Sequence, residues 1–154
     1  MNNFYDAEDI IIDELLKLFP RHMIFTEDTL SSISIKTFSS ESGVKLHSKD
    51  AVAVVVVNTG YKVLNSKSGG TASLINSLWR VFVVTPSELY KTQAGAKMVD
   101  VIVALQGLKM GDTSKPLELK DDVREFNEPD FTTNLFAIPS VFGFDAVISK
   151  GKRV

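Results

Sequence analysis

The residues that come nearest to a catalytic arrangement are two acids and a lysine in the order D…ExK. Asp112 is followed by Glu118 and Lys120, and the last two lie in the segment LELK, which is predicted to be a strand. Restriction-type nucleases use two carboxylates to hold a metal ion and a lysine to help activate water. The pattern is short and common, and no basic surface accompanies it. A metal-dependent nuclease is therefore the less favoured hypothesis.

Other residue types with chemical potential lack the spacing that chemistry requires. His22 and His47 stand far apart without metal-ligand spacing, so both are expected to be structural or surface residues. The glycine-rich segment SKSGGTAS lacks the order of a phosphate-binding loop and fits the tip of a hairpin better. The chain has no cysteine, which excludes disulfides and thiol catalysis. We expect no catalytic residue, no metal and no cofactor.

Composition indicates an ordinary globular protein of one domain. The chain has 154 residues, 44% hydrophobic residues and a net charge of -2, so no positive field indicates nucleic-acid binding. Acidic residues occupy the N-terminus, where a signal peptide would be basic. No apolar run reaches the roughly 20 residues of a membrane helix. We expect a soluble domain over residues 1–154, with residues 149–154 as a flexible tail and no membrane partner.

Two amphipathic helices are predicted. The first ends before Pro20, can be capped by Asp6, and directs an apolar stripe inward: Phe4, Ala7, Ile10, Ile11, Leu15 and Leu18. The second begins near Ser87 and ends at Gly107 or Gly111. Its apolar face comprises Ala94, Met98, Val101, Ile102, Leu105 and Leu108. Both helices should pack on a sheet.

The remaining segments predict strands, and the most apolar of them is AVAVVVVNTG at residues 51–60. A run this apolar is typical of a central strand covered on both sides. Helices should cover one side, and a second layer or a neighbouring subunit the other. A turn at residues 58–60 and a flexible tip should lead into a returning strand with alternating faces, on which Trp79, Val81 and Val83 oppose Leu78, Arg80, Phe82 and Val84.

Two further strands complete the prediction. KPLELKDD should place Leu117 and Leu119 on one face, and the last strand should bend at Pro139 or Gly143. Because strands and helices are segregated, the order of elements favours a single α+β domain. Its mixed, mostly antiparallel β-sheet would carry two main helices and a long β-hairpin arm. Trp79, Val55 and Ile102 should lie in the core.

With these elements in order, the chain resembles the tail terminators of long-tailed bacteriophages, the lambda-type tail-completion fold. The resemblance covers most of the sequence: the opening helix closed by Pro20, the small helix at DTLSSI, the strand AVAVVVVNTGYKV, the Trp strand LWRVFVV, the helix ending VDVIVALQGL, the KPLEL strand and the closing strand NLFAIPSVFGF.

The resemblance implies a structural virion protein without enzymatic activity. It implies a six-membered ring of this chain at the tail–neck junction, assembled in the host cytoplasm, that caps the tail tube, stops its polymerisation and joins the tail to the neck. Its partners would be further copies, the tube protein and the neck or connector protein, with the tail sheath as a further candidate. DNA would only pass through the ring.

The hairpin is the segment that we expect to reach a neighbouring subunit or the tube. Its polar, glycine-rich tip gains little by packing on its own subunit, and such segments can order on meeting a partner. The candidate contact residues are Tyr61, Lys62, Asn65 and Lys67. A solvated loop is the plain alternative. Two other functions remain open: another neck or head–tail joining protein, and the nuclease described above.

Overall fold

The structure is a computed structural model that describes residues 3–29, 52–66, 72–86, 93–111, 114–121 and 135–149. Within these ranges lie two α-helices, α1 (Asp6–Leu15) and α2 (Gly95–Leu105), and five strands: β1 (Ile24–Phe25), β2 (Ala53–Ser66), β3 (Ala72–Pro86), β4 (Glu118–Lys120) and β5 (Leu135–Ser149). The predicted small helix at DTLSSI beyond Thr29, the helix start at Ser87 and residues 150–154 of the tail lie outside the described residues.

The strands form one sheet in the order β1-β2-β3-β5-β4. Only β1 and β2 run parallel, and the other three neighbouring pairs are antiparallel. The predicted α+β domain with a mixed, mostly antiparallel sheet, two helices and a long hairpin is thus confirmed. No helix in the described part of the chain is long and apolar enough to cross a membrane.

Both faces of the central strands are buried, and the predicted alternation of β3 is correct. Trp79, Val81 and Val83 join Val54 and Val56 in the large core beneath the two helices. Phe82 and Val84 join Ala53, Val55 and Met23 in a second cluster on the opposite face. Since Val54, Val55 and Val56 are all fully buried within one chain, the apolar strand does not itself require a neighbouring subunit.

Helix α1 buries Ala7, Ile11 and Leu15, as its spacing predicts. The prediction for Leu18 is wrong, because the helix ends at Leu15 and a tighter turn follows, in which Leu18 and Phe19 both donate to the Leu15 carbonyl. Helical spacing is lost there, so Phe19 is buried and Leu18 is exposed. Asp6 is the first helical residue rather than the cap, and its carboxylate accepts from the Asn3 N–H at 3.2 Å.

Helix α2 buries Met98, Val101 and Leu105, and Ala94 just before it is buried too, while Ile102 in the helix and Leu108 after it are only partly buried against the same core. Trp79 and Val55 are fully buried as predicted. The helix ends before Gly107, whose φ of 81° suits glycine and whose N–H donates to the Leu117 carbonyl at 2.7 Å. The predicted termination at Gly107 is therefore confirmed.

The segment before and within β4 differs from the sequence prediction. Leu117 is buried because its N–H and C=O bond to the segment after α2, at Leu108 and Gly107. Leu119 lies within β4 and is 42% exposed, so the two leucines do not share a buried face. Strand β5 pairs with β3 from Leu135 to Ser149 without a register shift, straight through Pro139 and Gly143.

Candidate assembly surface

The outer half of β2 contains two β-bulges that decide where its side chains point. The pairing with β3 shifts between Asn58 and Gly60, and again between Val63 and Asn65. The sequence prediction of a turn at residues 58–60 is wrong, because the strand continues through them. Gly60 has a φ of 103°, a conformation open to glycine, and its N–H donates to the Asn58 side chain at 2.9 Å.

The first bulge transfers Tyr61 to the helix-covered face of the sheet. One inserted residue reverses the facing of every later residue in a strand. Tyr61 pairs with Ser77 and therefore shares the face of Trp79, where its ring stacks on Phe4 with centroids 5.1 Å apart. Tyr61 is nevertheless 52% exposed, so one part of its ring packs within the chain and the rest is accessible to solvent.

The other predicted contact residues lie at the same end of the hairpin. Lys62 pairs with Asn76 and faces the opposite side of the sheet from Tyr61, and Asn65 follows the second bulge. Both are exposed, as are the apolar side chains between them, Val63 at 60% and Leu64 at 51%. Lys67 lies outside the described residues. We call Tyr61, Val63 and Leu64 the hairpin patch; its apolar members Val63 and Leu64 were missed by the sequence prediction.

Within the described residues, the hairpin is part of the sheet rather than a free two-stranded arm. Strand β5 pairs along the whole of β3, from Ala72 opposite Ser149 to Pro86 opposite Leu135. The first β2–β3 pair at the tip is Ser66 with Ser73. Because three long strands run together, the exposed residues of β2 are carried on a sheet rather than on an arm that must become ordered.

A polar network fixes the base of the hairpin patch. The backbone N–H of Asn58, at the first bulge, donates to Glu27 Oε1 at 2.8 Å. The Tyr5 hydroxyl donates to the same carboxylate at 3.3 Å, and its ring meets Trp79 edge to face at 6.0 Å. Burial, followed by the charge of Glu27, raises the pKa of Tyr5. The α1 N-terminus, the turn after β1 and the bulge are thus joined.

A second polar cluster lies on the opposite face, and the sequence prediction missed it. Asn76 is largely buried and donates to Asp145 Oδ1 at 2.8 Å, while Lys115 lies 3.8 Å from the other carboxylate oxygen. A side chain at Gly143 would place its Cβ 2.5 Å from Asn76 Oδ1. Glycine at this position therefore leaves the space that Asn76 occupies.

The solvent sides of the two helices differ in chemistry. Helix α1 carries five acids and no base, and burial followed by the charges of Asp9, Glu27 and Asp28 raises the pKa of Glu8. The solvent side of α2 carries apolar residues beside the exposed Asp100: Val99 is 60% and Val103 is 74% exposed, and Ala96 one turn earlier is exposed too. We call Ala96, Val99 and Val103 the α2 patch. Its only charged neighbours on the helix, Lys97 and Asp100, lie 3.8 Å apart.

The nuclease candidates are not assembled into a metal site in the described part of the chain. Glu118 and Lys120 lie on β4 with Lys120 Nζ 3.2 Å from Glu118 Oε2, so the lysine is occupied by the carboxylate. Asp112 and His47 lie outside the described residues, and His22 is exposed. Among the described residues no three acids or histidines converge as metal ligands.

No protein family and no curated protein matches this chain.

Proposed function

We propose that this protein is a tail terminator of a long-tailed bacteriophage. Six copies would form a ring at the tail–neck junction that caps the tail tube, stops its polymerisation and joins the tail to the neck. The observation that carries the proposal is the order of elements: a helix, a two-residue strand, a long apolar strand, a returning Trp strand, a second helix, a short strand and a long closing strand.

Several of the sequence segments on which the resemblance rests correspond to helices and strands of the structure, in the same order along the chain. The opening helix ends before Pro20, β2 contains the valine run, β3 contains the buried Trp79, and α2 is followed by Gly107. The short β4 and the long β5 then complete the same sheet. The support is a match of pattern and architecture, because no catalytic motif contributes to the resemblance.

A terminator needs a rigid body and surfaces of different kinds. It must bind its own copies and the end of the tube, yet present a surface to which no further tube subunit adds. Strands β2, β3 and β5 have 14 or 15 residues each and pair over most of their length, which makes a stiff plate. The partners would be further copies, the tube protein and the neck protein, with the sheath as a further candidate.

We propose that the end of the hairpin makes the contact to a neighbouring subunit or the tube. Tyr61, Lys62 and Asn65 are exposed there, and Lys67 follows beyond the described residues. The packed scaffold beneath them gives these side chains fixed positions, so binding costs less ordering entropy than a free arm would. Packing of the subunit interior does not require the two β-bulges of β2, nor does it require the exposed hairpin patch.

Two measurements on the purified protein test the proposal. Native mass spectrometry should give six copies of the 17.0 kDa chain, and negative-stain images should show rings. Added to polymerising tube protein, the ring should stop elongation and give tubes of limited length. Rings that leave tube growth unchanged would favour another neck or head–tail joining protein. A monomer that cleaves DNA with Mg²⁺ would favour the nuclease.

A further inference from the structure

We propose that the basic segment at residues 150–154 of one subunit binds the hairpin patch of a second copy of this chain. The inference rests on the proposed ring and deepens it, because it names the part of the neighbour that the patch receives. Each subunit would give its basic segment to one neighbour and receive the segment of the other. A contact between two different surfaces of the same chain is the kind that closes into a ring.

The hairpin patch offers a fixed aromatic ring beside aliphatic side chains. Tyr61 and Val63 both face the helix-covered side of the sheet, because they pair with Ser77 and Ile75 on β3. Both are more than half exposed. The Tyr61 ring is stacked on Phe4 with centroids 5.1 Å apart, so a partner meets a ring whose position is already set.

The border of this patch is acidic. Phe4, which carries the Tyr61 ring, immediately precedes the first turn of α1, and residues 3–16 contain no base. The Tyr5 hydroxyl donates to Glu27 at 3.3 Å, which brings the turn after β1 to the same place. Lys62 faces the opposite side of the sheet from Tyr61, so it does not neutralise this border. The acids concerned are Asp6, Glu8, Asp9, Glu27 and Asp28.

These five carboxylates have no basic partner among the described residues. The ion pairs found in that part of the chain involve other acids, namely Glu14, Asp100, Glu118 and Asp145. Burial, and then the charges of Asp9, Glu27 and Asp28, raises the pKa of Glu8, as expected where carboxylates lie close together. A cationic partner would relieve this repulsion, so charge favours a basic occupant beside the patch.

The chain carries a basic segment directly after β5. Residues 150–154 read KGKRV, with three bases and no acid, and they lie beyond the described residues. Ser149, the last residue of β5, pairs with Ala72 at the outer end of the sheet. Lysine and arginine suit a surface of this chemistry, since their stems pack on apolar groups while their charges face carboxylates and aromatic rings.

The position of β5 favours a second copy over the segment's own subunit. Ser149 lies five residues beyond Phe144, which is level with Tyr61 two strands away. At about 3.3 Å per residue and about 4.8 Å between strands, Ser149 and Tyr61 are about 19 Å apart. Strand β5 runs outward, so the segment would first have to reverse through a turn of about four residues. That turn would leave Arg153 no nearer to Tyr61 than Ser149 is.

An engineered disulfide tests the contact, because the chain has no cysteine of its own. The double variant Val63→Cys/Val154→Cys is oxidised and run on a denaturing, non-reducing gel. Subunits joined head to tail should give a ladder of covalent multimers of the 17.0 kDa chain that collapses on reduction. A disulfide forms only where the two Cα atoms lie within about 7 Å. The matched control is Val103→Cys/Val154→Cys, whose first cysteine is exposed on α2 and which should remain monomeric on the gel.

Reversing the charge of the segment tests the electrostatic part of the contact. In the Val63→Cys/Val154→Cys background, Lys150→Glu/Lys152→Glu/Arg153→Glu should abolish the ladder. Urea unfolding of the subunit should be unchanged, since these residues follow the last strand. The ladder of the unreversed variant should also weaken in 1 M salt, where exposed charges are screened beyond about 3 Å. A ladder that survives both changes overturns the contact.

The remaining outcomes separate this contact from the proposed function. A double variant that forms rings of normal mass without a ladder overturns the contact and leaves the terminator proposal standing. A disulfide-bonded monomer overturns it too, since the segment then binds its own subunit, and so does an equal ladder from the control variant. The expected ladder from rings that leave tube growth unchanged supports the contact and overturns the terminator proposal. A parent protein that is monomeric and stops no tube overturns both.

Discussion

Glu27 Oε1 accepts a hydrogen bond of 2.8 Å from the backbone N–H of Asn58, 31 residues further along the chain. Asn58 opens the first bulge of β2, and the Tyr5 hydroxyl donates to the same carboxylate. A single side chain thus joins the beginning of α1 to the point where β2 changes the facing of its residues. The position of Tyr61 depends on this bulge, so Glu27 supports the candidate assembly surface from within the subunit.

Replacing Glu27 by alanine should destabilise the fold. The substitution removes the acceptor of the Asn58 N–H and of the Tyr5 hydroxyl, and a hydrogen bond to a charged group contributes about 1.5–3 kcal/mol. Because this site is exposed to water, we expect a loss near the lower value, measured by urea unfolding. Glu27→Gln retains an oxygen acceptor and should cost less. Equal effects of the two variants would show that the hydrogen bonds contribute nothing.

Alanine substitutions along α2 should separate its two sides. Leu105→Ala removes a fully buried side chain and should cost about 2–5 kcal/mol in the free energy of unfolding. Val103→Ala, two residues away and 74% exposed, should change the free energy by less than about 0.5 kcal/mol. Ile102→Ala should fall between them, since Ile102 is only partly buried. A costly Val103→Ala in the monomer would mean that the α2 patch is covered by its own chain.

Much of the fold follows from short-range patterns in the sequence. The 3.6-residue spacing of α1 and α2 identifies their buried residues up to Leu15 and Leu105, and the two-residue alternation of β3 separates Trp79 from Phe82 correctly. These predictions succeed because each depends on one element and its own apolar face. The prediction for Leu18 is wrong because the helical spacing of apolar residues continues past Leu15, where the helix ends.

The candidate site was harder to predict, because β-bulges and contacts between residues far apart in the sequence determine where its side chains lie. An alternation pattern assigns Tyr61 to the wrong face unless the inserted residue before Gly60 is recognised. The segment NTG at residues 58–60 is compatible with a β-bulge, but such a segment more commonly indicates a turn. Asn76 and Asp145 are 69 residues apart, and no local pattern shows that they pair. A contact between two residues that lie far apart in the sequence cannot be predicted from local sequence patterns.

The raised pKa of Glu8 predicts a pH-dependent stability. Burial first, and then the charges of Asp9, Glu27 and Asp28, disfavours its ionised form in the folded protein. The folded state therefore binds its proton more tightly than the unfolded state, so stability falls as the pH rises through the ordinary carboxylate range. Glu8→Gln should be more stable than the parent at pH 7, with the difference vanishing below about pH 4. Thermal unfolding across this range measures it; a variant that is less stable at pH 7 would contradict the prediction.

The acids of the nuclease pattern should be dispensable. Asp112→Ala and Glu118→Ala should leave ring formation and tube capping intact, because Glu118 is an exposed residue whose carboxylate pairs with Lys120. An exposed pair of this kind contributes at most about 1 kcal/mol to stability. DNA incubated with the parent and Mg²⁺ should remain uncut. Loss of phage viability in either variant, with normal folding and assembly, would instead favour the nuclease hypothesis.

Shortening the hairpin tip tests whether this end of the sheet reaches a partner. Residues 65–71 are replaced by a short Gly-Ser turn that joins the ends of β2 and β3. The monomer should still fold, since Asn65 is exposed and the pairing of β3 with β5 is untouched. Ring formation or tube capping should fail, because the change removes Asn65 and Lys67 and disturbs Leu64 beside them. Electron micrographs would then show tails of irregular length. A variant with the same residues replaced at unchanged length is the control for loss of side chains alone. Tails of normal, uniform length from the shortened variant would exclude a role for the tip in assembly.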